Sequence, residues 1–326
     1  MTKTVQPLIG LSAATTRVHQ QIQRVASAPS TTVLITGPSG AGKELVAREI
    51  HRHSSRANAE FVAINCAAFT ESLLEAELFG YAPGAFTGGK PRGHEGLLAA
   101  AEGGTLLLDE IAELAPSLQA KLLRVLQERV YRRIGENHHR EMDVRVIACT
   151  NCELADHVDE GSFREDLYYR INVLSIRVPT LAERREDILP IAQHYLQVFS
   201  TQLGTEPKGF ATSACESLSN HEWPGNVREL RNSIERACVL ARSSLIEAWH
   251  LGLSPENSRE SHGSGQVESG DGPAIQLDSW NLRSAEESII RHVLSRYEGN
   301  RSRTARELGI NRTTLYNKLR RYKIEA

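Results

Sequence analysis

The chain has 326 residues, 40% of them hydrophobic and 24% charged, with a formal net charge of −2. That length suits two or three domains, and the balance is that of a globular protein rather than a disordered or fibrous one. No run approaches the ~20 apolar residues of a membrane span, the start of the chain lacks the apolar core of a secretory signal, and five scattered cysteines make no disulfide framework, so the protein is expected to be cytoplasmic.

From residue 31 to 180, short apolar runs alternate with amphipathic ones. Thr32–Thr36, Phe61–Asn65, Thr105–Leu108, Val144–Ala148 and Val173–Val178 read as strands, most without polar alternation, as expected of strands buried on both faces. With helical stretches between them, such as Leu118–Glu128, they predict an α/β fold around a parallel sheet. The run Gly37-Pro38-Ser39-Gly40-Ala41-Gly42-Lys43-Glu44 directly follows the first strand and opens a helix. Its glycines let backbone N–H groups turn in on phosphate oxygens, Lys43 adds a positive charge, and the helix N-terminus adds its dipole. The general pattern has Ser or Thr after the lysine to ligate Mg2+; here Glu44 stands there, so the metal needs a carboxylate elsewhere. The strand Thr105–Leu108 ends in Asp109-Glu110. Asp109 is expected to orient Mg2+ through water and Glu110 to polarise the attacking water. Cys149-Thr150-Asn151-Cys152 has C-x-x-C spacing but no second pair, and reads as two packed thiols rather than a redox or zinc site.

Residues 181–250 hold no strong strand candidate and predict a helical subdomain. Residues 254–279 are polar and rich in Gly and Ser, the composition of a flexible linker. The last stretch is helical again: Leu282–Tyr297, Ser302–Leu308, a turn at Gly309-Ile310-Asn311, and Arg312–Tyr322, with Ala305, Leu308, Ile310, Leu315 and Leu319 as a shared core. Between Asn300 and Lys323 eight basic residues face one acid, Glu307, the electrostatic footprint of phosphate binding. Arg312, Thr313, Thr314, Tyr316 and Asn317 are candidates for the major groove of double-stranded DNA. Lys318, Arg320, Arg321 and Lys323 are candidate phosphate contacts, and Arg301 and Arg303 are further DNA-binding candidates. A helical dimerisation hairpin is compatible with the same pattern.

These motifs together resemble the bacterial enhancer-binding activators of sigma-54 RNA polymerase, an AAA+ family, from about Ile9 to Leu251, with a Fis-like helix-turn-helix at the C-terminus. The resemblance implies an AAA+ α/β subdomain at 1–180, a helical lid at 181–253, the linker at 254–279 and the DNA-binding domain at 280–326. The P-loop with Glu44 matches the family's own variant. Asn65 is similar to its γ-phosphate switch, acting through Glu110, and Gly84-Ala85-Phe86-Thr87-Gly88-Gly89 to its sigma-contacting loop. Thr150-Asn151 resembles sensor I, Arg164 and Arg170 resemble two arginine fingers, and Arg228, after Trp223-Pro-Gly-Asn, resembles sensor II. The two arginines, six apart on one expected helix, are implied to reach the nucleotide of an adjacent subunit, hence a closed ring, which the family suggests is a hexamer with paired DNA-binding domains. Two positions depart from the family: Gly89 replaces its usual Ala, and Leu98-Ala99 replaces its usual Phe-Glu. The expected function is an ATPase activator that binds upstream DNA and remodels the sigma-54 holoenzyme for promoter opening. The other reading is a nucleotide-regulated DNA-binding regulator that does not act on sigma-54. With only about eight residues before the motor, control is expected from synthesis level or a separate regulatory protein.

Overall fold

The structure, a computed structural model, describes residues 8–85, 92–204, 209–241, 245–253, 290–294, 297, 300–307, 312–322 and 324. The chain divides into two compact units, Met1–Ser258 and Arg259–Ala326. Phe86, Thr87, Gly88 and Gly89 of the expected sigma-contacting loop, and the expected linker 254–279, lie outside the described residues.

The first unit opens with α1 (Ala13–Ala26), then β1 (Val33–Thr36), α2 (Lys43–Arg52), β2 (Phe61–Asn65), α3 (Glu71–Phe79), α4 (Leu97–Ala100) and β3 (Thr105–Asp109). It continues with α5 (Pro116–Glu128), the short strands β4 (Val130–Tyr131) and β5 (Arg140–Glu141), β6 (Arg145–Thr150), α6 (Leu154–Asp159), α7 (Glu165–Ile171) and β7 (Leu174–Arg177). Five strands form one sheet in the order β2-β3-β6-β1-β7, and every pairing is parallel. The alternation hidden in the apolar runs is now visible. Val33, Ile35, Leu107, Ile147 and Cys149 face one core with Val18 and Ile22 of α1 and Val46 and Ile50 of α2. Leu34, Leu106, Leu108, Val146 and Ala148 face the other, with α3, α5 and α7. The central strands β1 and β3 are apolar almost throughout because both of their faces are covered, whereas the outer strand β7 exposes Ser175 and Arg177. Leu98, at the departure from the family, is buried in the second core.

The stem of the expected sigma-contacting loop pairs Tyr81 with His94, and Tyr81 with Ile134 of the β4–β5 hairpin. Gly84 turns the chain there at φ +77°, and the Ala85 N–H donates to Ala82 O at 3.2 Å.

Four helices make the lid: α8 (Ile188–Gln202), α9 (Thr212–Asn220), α10 (Asn226–Leu240) and α11 (Ala248–Leu251). They close on a separate core that includes Leu196, Trp223, Leu230 and Ile234. The second unit holds a helical stretch at 290–294, then Arg301–Glu307 and Arg312–Tyr322. Asn300 Oδ1 accepts the Arg303 N–H at 3.2 Å and caps the first of the latter two. Ile290, Leu294, Ala305, Leu315, Leu319 and Tyr322 form its core, so three of the five expected core residues are buried together; Leu308 and Ile310 lie outside the described residues. Among the described residues no helix is long and apolar enough to cross a membrane.

Candidate functional site

The C-terminal ends of the central strands converge, the place where open parallel sheets bind ligands. Thr36 pairs with Thr150, and Asn65 with Asp109, so the motifs at 37–44, 109–110, 150–151 and 65 come together along one sheet edge.

The loop after β1 is shaped by glycine. Gly40 has φ +73°, and a β-carbon there would sit 2.5 Å from Gly225 O, so only glycine lets the lid approach this closely. Lys43 begins α2, is buried, and donates from Nζ to Gly37 O at 2.8 Å and Pro38 O at 3.3 Å. Its charge is held at the loop beside the N-terminus of α2. Glu44 lies exposed on α2 and pairs with Arg48 at 2.7 Å.

Asp109 closes β3 half-buried, and its Oδ1 accepts the Glu110 N–H at 3.1 Å. Glu110 adopts the left-handed backbone conformation (φ 54°, ψ 52°), uncommon for a residue with a side chain. Burial pushes its carboxyl above the ordinary glutamate range; the attraction of Lys43 opposes this and the charge of Asp109 adds to it. Asn65 sits on the neighbouring strand, where its Oδ1 accepts the Ala67 N–H at 2.9 Å and caps a short turn. Thr150 is buried and its Oγ1 accepts the Cys152 N–H at 3.2 Å; Asn151 is exposed. Cys149 is fully buried while Cys152 is half-buried beside Thr150. Burial pushes the Cys149 thiol far up.

From the lid, Arg228 in the first turn of α10 donates to Ser39 Oγ at 2.8 Å. The turn before it is anchored by buried Trp223, whose Nε1 donates to Leu218 O at 2.9 Å. Between the sheet edge and the lid lies a cleft of about 1080 Å3, lined by Ser39, Gly40, Gly42, Lys43, Glu44, Asp109 and Glu110 on one side and by His194, Tyr195, Arg228 and Arg231 on the other.

Two side chains that sequence reasoning missed also grip the loop. Arg184, buried, donates to Ala41 O at 2.6 Å. Asn226, also buried, donates to Ser39 O at 3.1 Å and accepts the Leu181 N–H at 2.8 Å. Arg184 stands in the charged run Ala182–Asp187, which looks like a solvated surface in the sequence, whereas Asn226 looked like no more than a turn residue.

Arg164 and Arg170 do not share a helix. Arg164 is the extended residue capping α7 (φ −75°, ψ 131°), and only Arg170 lies within it. The expectation failed because helix starts are hard to place to one residue. Arg164 is exposed and pairs with Asp166 at 2.7 Å; Arg170 donates to Leu126 O at 2.6 Å. Neither lines the cleft of its own chain.

In the second unit, Arg303 and Arg320 are exposed, while Arg301, Thr314 and Lys318 are half-buried. Arg312, Thr313, Tyr316, Asn317 and Arg321 fall on the helix with Thr314, Lys318 and Arg320.

Residues 8–177 match the family model of the sigma-54 interaction domain, 182–268 that of an AAA+ ATPase lid domain, and 281–322 that of the Fis family of bacterial regulatory proteins. The chain belongs to the sigma-54-dependent transcription activators. It is 45% identical over 314 residues to the transcriptional regulatory protein ZraR of Escherichia coli K12, covering 96% of this activator and 68% of that protein. It is 42% identical over 317 residues to the nitrogen fixation protein AnfA of Azotobacter vinelandii, covering 97% and 57%. The crystal structure of NtrX from Brucella abortus in complex with ADP superposes with a TM-score of 0.71 at 38% identity, covering 97% of this activator and 69% of that chain. The activator is therefore an AAA+ ATPase carrying a Fis-type helix-turn-helix, with sigma-54 polymerase and DNA as partners. The parallel sheet, lid and helix-turn-helix expected from its sequence are all present.

Proposed function

We propose that the activator hydrolyses ATP in the cleft and uses the reaction to remodel the sigma-54 holoenzyme, so that the promoter can open. The observation that carries this is the meeting of Lys43, the Asp109-Glu110 pair and Arg228 around one cleft, and NtrX, a structural relative, is solved with ATP as well as ADP. Residues 37–43 hold the phosphates and Arg228 closes over them from the lid. Glu110 accepts a proton from water as that oxygen bonds to the γ-phosphorus and the bond to the β-phosphate oxygen breaks. Thr150, Asn151 and Asn65 sense the γ-phosphate from neighbouring strand ends. Mg2+ suits this donor set: Asp109 offers a half-buried hard oxygen ligand at the strand end, and Glu44, engaged with Arg48, is not needed for it. The ion when bound neutralises charge on the phosphates.

Arg164 and Arg170 reach the nucleotide of an adjacent protomer, which makes the working form a closed ring, a hexamer on family grounds. Gly84 and Ala85 lead into the loop that grips sigma-54 through Phe86 and Thr87. In the second unit, helix 312–322 enters the major groove and Arg301, Arg303, Lys318, Arg320 and Arg321 bind phosphates.

The loop decides between a remodelling motor and a regulator indifferent to sigma-54. Phe86→Ala should leave ATP turnover within about twofold of wild type and weaken sigma-54 binding roughly thirtyfold, the effect of truncating an aromatic anchor. ATPase rate and sigma-54 binding are measured together with a transition-state analogue of ATP. Loss of turnover with sigma-54 binding intact would overturn the loop assignment.

A further inference from the structure

Beside the cleft lies a recess of about 30 Å3, which shares the lining residues Gly42, Leu45, His194, Tyr195 and Val227 with the larger space. Its walls are apolar, from Ile9, Ala41, Ile191 and Val227 among others, except for two cationic-type side chains, Arg184 and His194. Each brings a buried nitrogen, Arg184 Nε and His194 Nε2, that has no hydrogen-bond partner within the described residues. Buried polar atoms are nearly always paired, and leaving one unpaired is costly. Two such atoms lining one small recess therefore point to something that completes them there.

Neither group is free to turn away. Arg184 is 3% exposed, and its other end is fixed by the 2.6 Å bond to Ala41 O of the phosphate-binding loop. The His194 ring packs edge-on to Tyr195, with centroids 5.6 Å apart. Burial holds His194 below the ordinary imidazole range, so the ring is neutral at physiological pH and one of its nitrogens carries a lone pair. The Arg184 guanidinium can only donate. The recess thus offers one donor and one available acceptor among largely apolar walls. Its volume admits the edge of a ring rather than a whole ring.

We propose that Arg184 and His194 are specificity-determining residues that read the Watson–Crick edge of the nucleotide's purine and select adenine over guanine. Adenine presents an exocyclic amine, a donor, next to a ring nitrogen that accepts, which complements His194 Nε2 and Arg184 Nε–H. Guanine reverses the order, with a carbonyl oxygen beside a ring N–H. A change of tautomer at His194 cannot repair the clash of that N–H with Arg184. Sites built to hydrogen-bond a polar group reject analogues that lack it far more strongly than apolar pockets reject an extra methylene. This inference rests on the cleft being the nucleotide site.

The test is a competition series on the intact wild-type chain, displacing a fluorescent ATP analogue with ATP, purine riboside triphosphate, which lacks the amine, and GTP. ATP should bind at least roughly tenfold more tightly than either competitor. In His194→Leu, ATP should fall to the affinity of purine riboside triphosphate, while displacement by inorganic tripolyphosphate stays unchanged. His194→Gln, which restores an amide acceptor, should recover part of the preference. Equal affinity of the wild-type protein for all three nucleotides would overturn the proposal, as would full ATP preference in His194→Leu. ATP affinity unchanged in Lys43→Ala would instead remove the cleft as the nucleotide site, a separate failure.

Discussion

Glu110 sits in a backbone conformation that a β-carbon disfavours, φ 54° and ψ 52°, at about 1–2 kcal/mol for an L-residue. The turn directs its carboxyl into the cleft near Lys43, where burial raises its proton affinity. Strain at this point is the mark of a site chosen for chemistry over stability. Glu110→Gly should therefore unfold at the same free energy as wild type or up to about 1 kcal/mol higher, because relief of strain is partly offset by the flexibility of unfolded glycine. Its ATP turnover should fall by roughly 10²–10⁴. Glu110→Gln keeps the strain and should bind ATP without turning it over. In wild type the base must be ionised, so turnover should decline as pH falls through a value above the ordinary glutamate range. Urea unfolding beside steady-state ATPase assays checks each point, and a glycine variant clearly less stable than the glutamine one would remove the strain account.

Beyond its apolar packing, the start of α1 is fastened by one carboxylate. Asp187 is buried at the base of the lid and accepts four hydrogen bonds: from Leu11 N at 2.6 Å, Ser12 N at 2.7 Å, Ser12 Oγ at 2.8 Å and Thr15 Oγ1 at 2.6 Å. Burial pushes its pKa up, but these donors more than compensate and hold it below the ordinary aspartate range. A carboxyl with a depressed folded pKa adds stability above its unfolded pKa and loses it as pH falls through the folded one, so this contribution should fade below about pH 4. Asp187→Ala strands several buried donors and should cost about 3 kcal/mol at neutral pH, with the difference from wild type shrinking in acid; urea titrations at pH 7 and pH 3 measure both. None of this was legible in the sequence. The run Ala182–Asp187 carries five charged residues in six and reads as solvated; only the packing of α1 and the phosphate-binding loop against it buries Arg184 and Asp187. Helix α1 itself was missed, although Val18, Ile22 and Val25 lie on its buried face. The central strands were legible because burial on both faces leaves a continuous apolar run, and the motifs at their ends fixed which sheet edge bears the chemistry. Short elements such as β4 and β5 and the cap at Arg164 lie below the resolution of any periodicity.

At the scale of the whole molecule, the cleft of one chain does not gather every residue of the proposed catalytic set. Its cleft gathers the phosphate loop, two acids and Arg228, but neither Arg164 nor Arg170 lines it. Arg164 is exposed at the start of α7, where it is held by Asp166. Arg170 reaches the end of α5 through Leu126 O. An arginine that stabilises the transferred phosphoryl group is worth roughly 10³–10⁵ in rate, so a site that draws its arginines from a neighbour is almost inert in an isolated protomer. Arg164→Ala and Lys43→Ala should each be inactive alone, for different reasons. The first retains a cleft that binds nucleotide and lacks the arginine it lends; the second lends its arginine and lacks the phosphate cradle. Mixed in equal amounts, they form some interfaces where an intact Lys43 faces an intact Arg164. In a closed ring with one heterologous interface per protomer and random mixing, about a quarter of interfaces have that arrangement. ATPase activity of the mixture should therefore rise from background toward about a quarter of the wild-type rate, less if neighbouring sites must fire together. Arg170→Ala paired with Lys43→Ala should behave alike, whereas mixing Arg164→Ala with Arg170→Ala, which damage the same side of the interface, should recover nothing if both arginines serve one neighbouring site. Mixed rings verified by differently tagged protomers that nevertheless stay inactive would show that these arginines act within their own chain.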